Sequence, residues 1–102
     1  MKILAVKGKL LGFQGASVLK GFNSDVEFDG RTYHVQTEDW GQRNPFLVSR
    51  VFLHGAVLRT LKTSYTDVLP EALAKDKQAL HLAMELQHQK ILDLLLSGKL
   101  VN

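Results

Sequence analysis

Four histidines, one pair of adjacent carboxylates, a few arginines and a single tryptophan are the side chains of this 102-residue sequence with chemistry to offer. His81 and His88 stand seven positions apart, which on a helix separates their backbones by about 10 Å. A metal ion takes helical ligands three or four positions apart, so these two do not share one and read as the polar flank of an amphipathic helix. His34 falls opposite Asp25 across a hairpin; a carboxylate there favours the protonated imidazole, and the expectation is a solvated cross-strand pair. His54 sits in a turn. Glu38 and Asp39, at a strand end, read as solvated acids rather than half of a metal site.

Arg50 and Arg59 carry an anion-binding reading. With His54-Gly55 as a two-residue turn, Arg50 lies directly opposite Arg59, and facing like charges are destabilising unless something neutralises them. Phe46 and Phe52 share their face, so basic groups interleave with aromatics as on phosphate-binding surfaces. Trp40 sits in the loop DWGQRNP beside Arg43. Tryptophan and arginine are frequent binding hot spots, so Trp40 and Arg43 are the candidate partner-binding residues. A lid folded over the core is the competing reading of Trp40.

No nucleophile elbow, P-loop, dinucleotide fingerprint or HExxH occurs. The chain has no cysteine, which removes disulfides, thiolate metal sites and a cysteine nucleophile, and fits a cytoplasmic protein better than a secreted one. The expectation is therefore a non-enzymatic domain with no catalytic residues, no metal and no cofactor. The net charge of +3 is too small to imply nucleic acid by itself, but it is unevenly spread. Residues 1–24 and 46–66 contain no acid, whereas residues 25–45 carry five acids against two arginines. No run approaches the roughly 18 apolar residues of a membrane helix, and Lys7 and Lys9 interrupt the apolar start too early for a signal peptide.

These residues need elements to position them. Residues 1–20 form an N-terminal segment punctuated by glycines, for which edge strands at Ile3–Val6 and Leu10–Phe13 and a loosely held tail are equal readings. Residues 21–102 read as one α+β domain. From Ser24 the chain alternates with period two, turns at Asp29-Gly30 and returns over Arg31–Glu38. That register pairs Phe28 with Arg31, Val26 with Tyr33 and Ser24 with Val35, placing Val26, Phe28, Tyr33 and Val35 on one face. Further strands are expected over Phe46–Leu53 and from Ala56 to about Tyr65. A helix is expected from Pro70 to about Leu96, stopped by Ser97-Gly98 with Leu100 folding back. The order is β-β-β-β-α, an antiparallel four-stranded sheet with one extra N-terminal strand possible and one face covered by a long helix.

That helix is over-apolar. Leu73, Leu80, Met84, Ile91 and Leu95 form one stripe, while Leu82, Leu86, Leu92 and Leu96 lie wholly or partly off it. About 27 residues span roughly 40 Å, longer than an eight-residue strand at about 27 Å. A second copy covering the helix over Ala79–Leu96 is the expectation, with Leu82, Leu86, Leu92 and Leu96 as the dimer interface.

The stretches GRTYHVQTEDWGQRNPFLVSRVFLHGAVLRTLKTSY and AMELQHQKILDLLLSGKL resemble a group of small bacterial domains with an HVQTED segment and a C-terminal QHxxxLxxL-type helix. The likeness covers residues 21–100. It implies a bacterial, cytoplasmic protein and carries over no catalytic residue. In topology alone, four antiparallel strands and a helix are similar to the repeat of the Whirly and PUR nucleic-acid-binding proteins. The leading expectation is a homodimeric protein-interaction module. Its alternative is a nucleic-acid- or nucleotide-binding domain.

Overall fold

A computed structural model describes residues 8–13 and 21–100. Five strands, β1 (Gly8–Phe13), β2 (Gly21–Phe28), β3 (Arg31–Asp39), β4 (Phe46–Leu53) and β5 (Ala56–Ser64), form one antiparallel meander in sequence order. The extra strand is thus present as β1, which pairs with β2 and draws part of the N-terminal segment into the sheet. Ile3–Val6 lies outside the described residues. The first hairpin has the expected register, Phe28 against Arg31, Val26 against Tyr33 and Ser24 against Val35. Both the Asp29-Gly30 and His54-Gly55 turns hold their two residues at positive φ, between 54° and 82°. That backbone twist matches the twist of the flanking strands.

After β5 come a single helical turn, α1 (Tyr65–Val68), a 3-10 turn (Glu71–Leu73) and the long helix α2 (Lys77–Leu96). The helix is shorter than expected because Pro70 opens the 3-10 turn and Asp76 is the true cap. Its carboxylate accepts the backbone N–H groups of Gln78 and Ala79 at 2.9 and 3.1 Å. Such a cap satisfies donors that have no partner inside the helix. Twenty residues span about 30 Å, close to the strands' length, so the expected overhang is absent. At the other end Gly98, at φ 76°, closes the helix: its N–H bonds Leu95 at 3.0 Å and that of Lys99 bonds Leu94 at 2.9 Å. Leu100 folds back onto the core as expected.

α2 lies across β2 and β3 and reaches β1 and β4. The core it makes with the sheet falls into two apolar clusters. One gathers Val26, Tyr33, Val35 and Val51 around Ile91, Leu92 and Leu95. The other gathers Phe22, Leu47 and Tyr65 around Leu80, Ala83 and Met84. β5 stays at the margin, its first seven residues exposed. No helix among the described residues is long and apolar enough to cross a membrane.

Candidate functional site

Between the two apolar clusters runs a buried polar belt. Ser24, Thr37 and Ser49 project from β2, β3 and β4 toward the helix, which answers with Gln87 and His88; all five are buried. His88 Nε2 lies 2.9 Å from the Ser24 hydroxyl and its Nδ1 2.7 Å from that of Thr37, which is 2.7 Å from Ser49 Oγ. The Gln87 amide donates to Ser49 Oγ at 2.9 Å and to the Leu47 and Leu61 carbonyls at 3.3 and 3.4 Å. No buried side-chain polar atom among the described residues lacks a partner. His88 is therefore a core residue and not the polar flank expected of it. Burial, followed by the charge of His34, lowers its pKa from 6.5 to about 4, so it is neutral at pH 7. His81, by contrast, stands exposed on the flank.

Glu38 and Asp39 cannot act as a pair, because successive strand residues point to opposite faces. The Asp39 carboxylate accepts the Tyr65 hydroxyl and, at 2.9 Å, the Gly41 N–H. Tyr65 is buried, and its pKa is raised first by that burial and then by the Asp39 carboxylate. This fastening, together with Tyr65 N–H to the Pro45 carbonyl at 3.0 Å and Trp40 N–H to that of Phe46 at 2.9 Å, holds the 40–45 loop against the sheet. Among the described residues no three His, Cys, Asp or Glu side chains gather as metal ligands.

On the outer face, away from α2, the Asp25–His34 pair forms as expected, at 2.9 Å. The facing of Arg50 and Arg59 does not. The turn has two residues, but a bulge after the Phe52–Val57 pair inserts Leu58 into β5, so Arg50 opposes Thr60 and Arg59 opposes Val51. Arg50 points outward and Arg59 lies on the helix side, in a hollow beside Ile91 and Leu94. The residue that joins Arg50 is Lys62, which the sequence reading passed over. Its ammonium lies 5.1 Å from the Trp40 ring centre and 4.2 Å from that of Phe46, and the Arg50 guanidinium lies 5.7 Å from Trp40. Trp40 donates its indole N–H to Glu38 at 3.2 Å. Glu38 and Lys62 flank Val48 on its two sides in the sheet. Val48, between them, is buried although it points outward. Trp40 itself is partly exposed. Arg43 is exposed.

The helix side of β5 is different in character. Leu61 and Thr63 of β5, Val68 of α1, Leu73 of the 3-10 turn and Leu82 and Leu86 of α2 line a groove of about 590 Å³. Leu82 and Leu86 are 54% and 61% exposed, as the dimer reading requires. Of the other two leucines expected at the interface, Leu92 is fully buried and Leu96 is partly buried against the same core, because their side of the helix faces the sheet. Leu73 likewise leaves the buried stripe, since it precedes α2. No family model, curated protein or solved structure matches the chain.

Proposed function

We propose that this chain is a non-enzymatic interaction module that works as a homodimer, its copies joined along β5 and the exposed side of α2. One observation carries the reading. Seven large apolar side chains are exposed among the described residues: Val57, Leu58, Leu61, Val68, Leu73, Leu82 and Leu86. Five of them line the groove; the other two sit on the same strand, Leu58 at the bulge and Val57 opposite the outward Phe52. Exposed apolar residues on a monomer are ordinarily scattered singly; a contiguous set marks an interface. β5 is also an edge strand of nine residues, and an uncovered apolar edge is a template for pairing.

Geometry favours a second copy as the occupant. An edge about 30 Å long and two packed layers deep, about 20 Å, presents roughly 600 Å² per copy, near the ~800 Å² of a standard interface. Residues opposite one another in an antiparallel sheet share a face. A two-fold axis through β5 therefore pairs odd positions with odd positions and centres the register on a residue. With Leu61 on the axis, Arg59 meets Thr63 and Lys62 meets Thr60, so no two cations oppose each other. Both helices then lie on one side, and the two grooves close over each other. Light scattering at micromolar concentration should give twice the chain mass of 11.4 kDa. Leu86→Glu should return it to the single mass with its circular dichroism unchanged. A single mass for the unsubstituted chain overturns the reading.

A further inference from the structure

We propose that the outer face of the sheet, around Trp40, binds single-stranded nucleic acid. A strand without sequence recognition is held by two kinds of group, aromatic faces on which bases stack and cations that track the phosphates. Both are gathered here on one half of the face. Phe46, Arg50 and Phe52 alternate outward along β4, Lys62 projects beside them from β5, and Trp40 lies across both strands. The Arg50 and Lys62 charges sit within 5.7 Å of the Trp40 ring centre. A base stacked on that ring would bring its phosphates within reach of both.

The charge pattern points the same way. Residues 40–66 contain no acid, and of their four cations Arg50 and Lys62 lie on this face, whereas Arg59 lies on the helix side. The one carboxylate at the cluster, Glu38, is occupied with the Trp40 indole, the Gln36 amide at 3.0 Å and Arg50 at 3.7 Å. It orients the ring and partly offsets Arg50. Lys62 has no ion-pair partner among the described residues, so its charge is open to a phosphate. The opposite half of the face carries Asp25 and Glu27 from β2 and repels a polyanion, which confines the strand to β3–β5. An acidic peptide would meet the same cations but would leave the rings unused, so the stacking surface favours nucleic acid. The proposal does not depend on dimerisation, since it uses the face away from α2.

Trp40 is the only tryptophan and reports on its own site. Titrating the intact chain with a 20-nucleotide oligothymidylate should quench its emission saturably in low salt. Each phosphate contact contributes about −0.7 to the slope of log affinity against log salt, so Lys62→Gln and Arg50→Gln should each flatten that slope by about 0.7. Trp40→Ala, followed by anisotropy of a labelled oligonucleotide, should weaken binding on the order of tenfold, and Trp40→Phe much less. If Arg50→Gln loses its fold, Arg50→Lys should retain the slope. No quenching at low salt overturns the proposal, as do substitutions that leave affinity unchanged. Polyphosphate binding as tightly as the oligonucleotide, with Trp40→Ala without effect, would show a plain cation patch suited to acidic partners and overturn it too.

Discussion

His88 can be charged only at the expense of the fold, and the structure sets how much. Its imidazole is enclosed between the Ser24 and Thr37 hydroxyls, 2.9 and 2.7 Å away, and burial lowers its pKa from 6.5 to about 4. Because the folded pKa lies below the unfolded one, the unfolded chain binds more protons between those values. Stability from this residue is full above pH 6.5 and is lost as pH falls toward 4. The complete loss is about 3 kcal/mol, at about 1.4 kcal/mol per unit, and about 2 kcal/mol of it is gone at pH 5. Against a total stability of about 5–15 kcal/mol that is a large share. Urea unfolding at pH 7.5, 6 and 5, at one protein concentration, should show the decline. His88→Gln keeps a donor and an acceptor but has no titration, so its decline should be shallower by about 2 kcal/mol at pH 5. The two proteins differ only at residue 88, so every other contribution to the pH dependence is common to both and cancels. Parallel declines would refute the buried-belt account.

Leu92→Ala should cost about 2–5 kcal/mol in the same assay, because it opens a cavity in a closed core. Leu86→Ala, on the same helix, should leave the monomer's stability nearly unchanged and weaken only association. Ser49→Ala should cost about 1–3 kcal/mol, since Thr37 and Gln87 both lose a buried partner; a cost below about 0.5 kcal/mol would mean that the belt contributes little net stability.

The parts of the fold legible in the sequence are those written by short-range rules. Asp29-Gly30 and strict alternation define the first hairpin residue by residue, and the Gly98 stop ends α2. What escaped depends on a single inserted residue or on long-range packing. Nothing in the 57–60 stretch distinguishes a bulged Leu58 from a paired one, yet the bulge turns Arg59 to the helix side and brings Lys62 out opposite Val48, beside Trp40. The helix starts later than the sequence pattern implies because Pro70 and Leu73 satisfy that pattern, although Asp76 offers the stronger cap. A signal for the polar belt did exist. Ser24 falls on the same face as Val26 and Phe28 by the register itself, and an inward hydroxyl requires a buried partner from the helix. That partner was in plain sight at His88, between Met84 and Ile91.

The proposed homodimer along β5 carries one geometric requirement that a covalent trap reads directly. The chain has no cysteine, so a single Leu61→Cys substitution places one thiol per copy on the proposed two-fold axis. Directly opposed residues in an antiparallel pair have Cα atoms about 4.5–5.5 Å apart, within the span of a disulfide. Mild oxidation at micromolar concentration should therefore convert the protein to a covalent dimer that Leu86→Glu prevents. A Leu61→Cys chain that stays monomeric under oxidation, its thiol still free to react with a maleimide, would contradict the account.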